Sequence, residues 1–142
     1  MSYTFSIIKP DAVANGHTES ILRRISNSGF NILGINHHQI TDDEAKKFYE
    51  VHKGKPFYES LIDFMTSGRS VVLALQSNSD STVEDFRDLI GDTDPTKAES
   101  GTIRNLYGSE IGKNAIHGSD SNENAINEIS FFFPELISKT GI

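Results

Sequence analysis

Four short strand-like segments alternate with helical segments along the chain, and this rhythm limits the possible folds more than any other sequence feature. "YTFSIIKP" (3–10) has the aromatic and β-branched core typical of a strand, and a proline ends it near Lys9. "FNILGINHHQIT" (30–41) has strand character again, and "NAIHG" (114–118) predicts a brief strand. "SVVLALQ" (70–76) is a continuous apolar run, which favours a buried strand.

Helices are predicted in the intervals between these strands. Residues 17–29 carry isoleucine and leucine at helical spacing and end in a glycine suited to stop a helix. Two pairs fit a capping box, Thr41 with Glu44 and Ser81 with Glu84, and each predicts a helix start. The helix after Thr41 is predicted to carry Phe48, Tyr49 and Val51, and the helix after Ser81 to end at Gly91.

Two further helices complete the predicted set. Pro56 suits a first helical position. The apolar stripe of that helix comprises Phe57, Leu61, Phe64 and Met65. The last helix is predicted over 119–133, with Ala125, Ile126, Ile129 and Phe133 facing inward. Between 91 and 113 the hydrophobic periodicity fails, and a loop of this length inside a compact domain is usually functional or disordered.

The order of the elements predicts an α/β (α+β) protein. The β-α-β-β-α-β ferredoxin-like sandwich, a four-stranded antiparallel sheet covered by helices, has this rhythm. At 142 residues the chain has the length of one domain, and it shows no linker or internal repeat. We therefore predict a single domain spanning 1–142.

Composition and charge limit the kinds of partner. A formal net charge of −7 repels polyanions and argues against nucleic acid and acidic membrane surfaces as partners. The chain has no cysteine, so disulfides and thiolate sites are excluded. No signal segment and no long apolar span is visible, and a cytoplasmic protein is predicted. A local cluster of Lys and Arg can still bind a small anion.

His117, in "NAIHGSDS", is the leading candidate for chemistry. It lies at a strand end beside a glycine, so its ring has room for a ligand. A lone histidine is more often structural, but Ser119 and Asp120 open a predicted helix whose N-terminal amides favour an anion. Glu128 lies further along that helix and can orient the imidazole. A neutral imidazole is a nucleophile near neutral pH.

Three cations stand at the edges of predicted elements: Lys9, Arg87 and Arg104. Taken singly, each is an ordinary solvated charge. Taken together with the hydroxyls and amides of "GDTDP" and "SGT", they are suited to clamp a phosphate. Phe57 is compatible with a core position or with stacking on a nucleobase, and Tyr49 is equally ambiguous. No Walker A or GxGxxG pattern is present, and the other four histidines lack metal-ligand spacing.

These segments together resemble the nucleoside diphosphate kinase family over nearly the whole chain. The matching segments, in family order, are "TFSIIKPDAV", "KPFY", "FMTSGR", "GDTDPTKAESGTIR" and "NAIHGSDS". The resemblance implies a ferredoxin-like fold and a ping-pong kinase. In this mechanism a nucleoside triphosphate phosphorylates His117, and the phosphohistidine then phosphorylates a nucleoside diphosphate.

The resemblance also implies a role for each matching side chain. Lys9 would contact phosphate and a sugar hydroxyl, Phe57 would stack on the base, and Asn114 would bind the ribose. Arg87, Thr93 and Arg104 would hold phosphates. Tyr49, Ser119 and Glu128 match the supporting residues around the histidine. Mg²⁺ would arrive with the nucleotide, bound through phosphates and water and through Asp120 at most by way of a water.

Two further points bear on the comparison with the family. Its members form tetramers or hexamers built from a common dimer, so a homo-oligomer is expected, without a choice between the two. "SGRSVV" replaces the family's "SGPVV". The segment between Phe57 and Arg87 is two residues longer than usual, so the alignment of Arg87 with the family's arginine depends on where these two residues are placed.

Two other classes of function fit parts of the sequence. A ferredoxin-like regulatory module would bind a nucleotide through a phosphate clamp without a usable nucleophile. A non-enzymatic scaffold would carry Lys9, Arg87 and Arg104 scattered over its surface, further apart than the length of one nucleotide. The positions of these cations therefore distinguish the alternatives.

Overall fold

A computed structural model of the protein describes residues 2–140, and the side chains of residues 2–138. Its centre is one sheet with the strand order β2-β3-β1-β4, in which every neighbouring pair is antiparallel. The strands are β1 Ser2–Ile8, β2 Asn31–Gln39, β3 Arg69–Ser77 and β4 Ile116–Gly118. All four predicted strands are confirmed.

Eight helices connect and cover the strands within the described residues. They are α1 Pro10–Ala14, α2 Thr18–Asn27, α3 Asp42–Phe48, α4 Tyr58–Met65, α5 Thr82–Ile90, α6 Ile103–Tyr107, α7 Asn122–Phe132 and α8 Pro134–Thr140. The sequence did not predict α1, α6 or α8. No helix in residues 2–140 is long and apolar enough to cross a membrane.

The apolar side chains form two clusters, one on each face of the sheet. The residues of β3 alternate between them, so Val71, Leu73 and Leu75 belong to one cluster and Val72 and Ala74 to the other. The first cluster includes residues of α2 and α5, and the second includes residues of α3, α4 and α7. Each face of the sheet is thus covered by helices, as predicted for a ferredoxin-like sandwich.

One of the two predicted capping boxes is present. The Thr41 hydroxyl accepts from the Glu44 amide at 3.2 Å, and the Glu44 carboxylate accepts from the Thr41 amide at 3.0 Å. The prediction for Ser81 is wrong, because its side chain makes no cap hydrogen bond. The amide of the first helical residue, Thr82, donates instead to the hydroxyl of Ser2 on β1 at 3.1 Å, so a distant strand satisfies one amide of that helix end.

Several predicted helix boundaries are also wrong. The helix assigned to Pro56 begins at Tyr58, because a turn joins the Tyr58 amide to the Lys55 carbonyl at 3.0 Å. Val51 follows α3 in a short 3₁₀ turn and is 80% exposed. The last long helix, α7, starts at Asn122 instead of 119, and Ile126 is exposed. The other three residues predicted to face inward from that helix are buried.

Gly91 ends α5, as predicted, with a φ of +90° that favours glycine. A Cβ at this position would lie 2.5 Å from the Thr102 hydroxyl oxygen. The glycine therefore allows the loop after α5 to pack closely against the start of α6.

Candidate active site

His117 lies on β4, where it pairs with Ile7 of β1. Its Nε2 lies 2.8 Å from Oε1 of Glu128 on α7. A carboxylate only accepts, so Nε2 carries a proton, and in the neutral ring Nδ1 keeps its lone pair. No hydrogen bond to Nδ1 occurs among the side chains that the structure describes. The side chain is 21% exposed, so the imidazole is fixed by its partner and still partly open to a ligand.

Glu128 is itself held in place by Ser119. The Ser119 hydroxyl donates to the same oxygen, Glu128 Oε1, at 2.8 Å. Ser119 is fully buried, and its amide donates to the Phe5 carbonyl at 3.1 Å, which anchors it to β1. The edges of Phe5 and Phe48 pack against the imidazole, with ring centroids 6.1 and 5.7 Å from it. The orientation of the imidazole is therefore set by packing as well as by hydrogen bonds.

Tyr49 is buried beside this cluster. Burial raises the pKa of its phenol, and the nearby charge of Glu128 raises it further. The phenol therefore stays protonated. Its oxygen is buried and has no hydrogen-bond partner among the described residues, so the O–H is an unused donor near the histidine.

Arg104, on α6, is a buried cation that organises the neighbouring backbone. Its guanidinium donates to the Gly91 carbonyl at 3.0 Å and to the Ile116 carbonyl at 2.9 Å. Only 6% of the residue is exposed, and burial, followed by the charge of Arg87, lowers its pKa to about 10. The Nε atom has no partner among the described residues. Arg104 thus fixes the residue before His117 and keeps spare donors.

Lys9 follows β1 and is hydrogen-bonded to Asn114, its Nζ donating to Oδ1 at 2.8 Å. Burial, followed by the charge of Arg104, lowers the pKa of Lys9 to about 8, and the charge of Asp11 opposes the shift. Asn114 in turn donates to the Thr93 carbonyl at 3.0 Å. The lysine is therefore held between the strand end and the loop of residues 91–113.

The three predicted cations are electrostatic neighbours and are not scattered. Arg104 acts on the pKa of Lys9, and Arg87 acts on that of Arg104. None of the three forms an ion pair with a carboxylate in the part of the chain that the structure describes. Arg87 is exposed on α5, and its charge also contributes to lowering the pKa of Asp120, which is lowered mainly by the hydrogen bond from Asn124. This arrangement disfavours the scaffold interpretation.

A cavity of about 560 Å³ opens beside this cluster. Four of the predicted residues line it: Lys9, Phe57, Thr93 and Asn114. Phe57 is 48% exposed, so the interpretation of Phe57 as a core residue is wrong. Ile111, 60% exposed, lines the same cavity and was not predicted. Its signal in the sequence was an isolated apolar residue within the polar segment "GSEIGK".

The described residues contain no group of three or more His, Asp or Glu side chains suited to hold a metal ion. Asp120, exposed at the end of β4 and ionised because its pKa is lowered, is a single carboxylate near Arg87. Such a donor set fits a hard cation held mainly by phosphate oxygens and water.

The fold and the site together define a class of protein. A ferredoxin-like sandwich holds a fixed, partly exposed imidazole, a group of cations without ion-pair partners among the described residues, and a cavity lined by one of those cations, Lys9. These are features that phosphoryl transfer through a histidine uses.

The comparisons with known proteins narrow this class. A family model described as nucleoside diphosphate kinase matches residues 2–137. The chain is 50% identical over 130 residues to the nucleoside diphosphate kinase of Flavobacterium psychrophilum, covering 92% of both chains. It is 44% identical to that of Syntrophotalea carbinolica, covering 96% of this chain and 98% of the relative.

Solved structures give the same result. The nucleoside diphosphate kinase of Aquifex aeolicus superposes with a TM-score of 0.90 at 38% identity, covering 95% of this chain and 96% of that one. A halophilic nucleoside diphosphate kinase from Halobacterium salinarum, solved in complex with CDP, has a TM-score of 0.87 at 34% identity and covers 93% and 87%. The chain belongs to the nucleoside diphosphate kinase family, and it is a nucleotide-binding phosphotransferase, as the resemblance predicted.

Proposed function

We propose that residues 1–142 act as a single kinase domain in which His117 carries the phosphoryl group between a nucleoside triphosphate and a nucleoside diphosphate. The observation that carries this proposal is the 2.8 Å hydrogen bond between Nε2 and Glu128, which leaves Nδ1 as the free nucleophile. Nδ1 attacks the γ-phosphorus, the bond to the bridging oxygen breaks, and the diphosphate leaves with that electron pair. A second diphosphate attacks the phosphohistidine in the reverse step.

Glu128 and Ser119 support this chemistry by fixing the imidazole. The Nε2 proton stays on the ring while Nδ1 bonds to phosphorus, so the ring gains positive charge. The carboxylate of Glu128 stabilises that charge, and the Ser119 hydroxyl holds the carboxylate in position. The protonated Tyr49 offers its O–H to an incoming phosphate oxygen.

Lys9, Arg87, Thr93 and Arg104 bind the phosphates in this proposal. The unpaired positive charge of the three cations supports the role, because it stabilises the charge that spreads over the transferring group. Asn114 binds the ribose from its place beside Lys9 on the cavity wall. Phe57 stacks on the base, and the exposure of its ring in the cavity supports this.

Mg²⁺ is the cofactor that this set of residues fits. It would be held by the phosphates of the nucleotide and by water, with Asp120 contacting it through a water. When bound, it neutralises part of the charge on the phosphates.

The proposed partners are nucleoside diphosphates and triphosphates, without nucleic acid or membrane. The net charge of −7 supports the exclusion of polyanions.

Within the described residues β2 lies at the sheet edge with Ile35 exposed, which supports a homo-oligomer, a tetramer or hexamer built from dimers. Sedimentation measures which one forms. The lack of cysteine is consistent with a cytoplasmic location.

Labelling separates the kinase from a nucleotide-binding regulatory module. The protein is incubated with γ-labelled ATP and freed of nucleotide. We expect an acid-labile, base-stable label that leaves on addition of any nucleoside diphosphate. His117→Asn abolishes the label, whereas His37→Asn, which changes an exposed histidine on β2, retains it. A wild-type protein that binds ATP without acquiring label would refute the proposal.

A further inference from the structure

The backbone between Asn114 and His117 makes a strained turn. Ala115 has a φ of +73°, and it is the one non-glycine residue with a positive φ in the part of the chain described. The Ile116 amide donates to the Asn114 carbonyl at 2.9 Å, which closes a three-residue γ-turn around Ala115. A residue with a Cβ adopts this conformation only where its surroundings enforce it.

The turn lies between two functional side chains. Asn114 is its first residue and lines the cavity, and His117 follows its last residue directly. A change in the turn would therefore alter the position of the imidazole relative to the nucleotide. A misplacement of about 1 Å at such a site is enough to slow a reaction roughly 100-fold.

Three neighbouring groups hold the turn. The Ala115 carbonyl accepts from the Lys9 amide at 2.8 Å, and the Ile116 carbonyl accepts from Arg104 at 2.9 Å. The remaining group, the Ala115 amide, donates to Oδ2 of Asp11 at 3.1 Å. Lys9 contributes a backbone atom and Arg104 also binds phosphate in the proposed mechanism. Asp11 donates no group to the nucleotide in that mechanism: its side chain bonds to the turn, and its charge acts on Lys9.

The position of Asp11 is not explained by its own helix. An acidic residue in the first turn of α1 is ordinarily a solvated charge that offsets the helix dipole. Here the side chain reaches across to a residue 104 positions away. Its second oxygen, Oδ1, is buried without a hydrogen-bond partner among the described residues. An arrangement that desolvates a carboxylate oxygen in this way carries a cost that a solvated aspartate would avoid.

We propose that Asp11 is a positioning residue for phosphoryl transfer: it clamps the γ-turn at Ala115 and so sets the placement of His117 and Asn114. The inference rests on the proposed role of His117. It assigns a function to a residue that does not line the cavity with Phe57 and whose side chain bonds to the backbone of Ala115.

Removing the clamp is the first test. We expect Asp11→Ala to slow phosphohistidine formation roughly 10- to 100-fold in single-turnover reactions at saturating ATP. Asp11→Asn should slow phosphohistidine formation less, because the oxygen of the Asn side chain still accepts from the backbone N–H of Ala115. Asp63→Ala, a matched change of an exposed aspartate on α4, should leave the rate unchanged.

Relieving the strain is the second test. Glycine adopts a positive φ without steric cost, so the turn in Ala115→Gly no longer depends on the clamp. We expect Ala115→Gly alone to react close to the wild-type rate, and Asp11→Ala/Ala115→Gly to recover most of the rate lost in Asp11→Ala. Thermal unfolding of each variant ensures that the rates are compared between folded proteins.

The outcomes separate this inference from the function on which it rests. If wild-type protein forms no phosphohistidine, the proposed function fails. If wild-type and Asp11→Ala proteins are labelled at the same rate, only the role of Asp11 fails. A folded Asp11→Ala protein that reacts slowly and gains nothing from Ala115→Gly also overturns the clamp, because Asp11 would then act by another route.

Discussion

Around His117 the functional side chains are fixed by short hydrogen bonds, whereas in the cavity beside Lys9 the side chains of Phe57 and Ile111 are exposed and loosely held. His117, Ser119 and Glu128 form one hydrogen-bonded cluster anchored on β1, β4 and α7. Phe57 and Ile111 lie on irregular segments, and about half or more of each residue is exposed.

This difference matches the roles proposed for the two regions. Transfer of a phosphoryl group requires the nucleophile and the leaving oxygen to be aligned, which demands a rigid site. Stacking on a nucleobase uses the face of the ring, which every base possesses, and tolerates small displacements. In the proposed function, a rigid region would carry out the chemistry and an adaptable region would bind the base.

The two arginines provide the strongest test of this contrast. Arg104→Met leaves the Gly91 and Ile116 carbonyls without their guanidinium donor. Each unpaired carbonyl should lower the free energy of unfolding by roughly 1–3 kcal/mol. Arg87→Met, at an exposed position, should change it by less than about 0.5 kcal/mol. Both variants should bind nucleotide more weakly. Urea denaturation and titration with a diphosphate measure the two effects, and equal losses of stability would contradict the contrast.

Glu128 tests the rigid end without removing the nucleophile. Glu128→Gln keeps the shape of the side chain but not the charge that stabilises the imidazole. Phosphohistidine formation should slow roughly 10- to 100-fold, as measured in single turnovers. Glu123→Gln, an exposed change on the same helix, is the control. An unchanged rate in Glu128→Gln would show that the carboxylate is dispensable.

Lys9 gives the site a pH dependence with a definite sign. The ammonium is protonated below its lowered pKa of about 8, and bound phosphates favour that form. Nucleotide affinity should therefore be highest below pH 8. Between pH 8 and pH 9 it should fall by no more than about tenfold. Titrations at several pH values measure it. Lys9→Arg should remove the decline, and a wild-type affinity that rises over this interval would contradict the assignment.

The smallest effect is expected at the base end. Phe57→Ala should weaken binding of purine and pyrimidine diphosphates alike by about 1 kcal/mol, about fivefold, the low end of the range for stacking. The transfer rate at saturation should stay unchanged. Val51→Ala, at a more exposed apolar residue nearby in sequence, should have no effect on affinity. If Phe57→Ala weakened the binding of one base much more than that of the others, Phe57 would make base-specific contacts instead of general stacking.

The sequence predicted the regular part of the molecule well, for identifiable reasons. Apolar runs define the strands, and their pairing brings His117 next to β1. Thr41 and Gly91 mark helix ends through local chemistry that does not depend on the rest of the fold. Ser81 has the same local pattern as Thr41 but lost its cap, because Ser2, far away in sequence, satisfies that helix end.

The irregular part was less predictable because its structure depends on distant contacts. Within residues 91–113 the short helix α6 carries Arg104, which bonds to carbonyls on two other segments. Phe57 was assigned a place in an apolar stripe, yet the turn before α4 exposes it. No local pattern indicates that the side chain of Asp11 bonds to Ala115, which is 104 positions away in the sequence.

The most direct test of the account is to identify the atom that carries the phosphoryl group. Protein labelled with ¹⁵N-histidine is treated with ATP, and the site is mapped by mass spectrometry and by ¹⁵N and ³¹P NMR. Because Nε2 is bound to Glu128, we predict a single phosphohistidine at His117, bonded through Nδ1. A phosphoryl group on Nε2 or on any other side chain would contradict it.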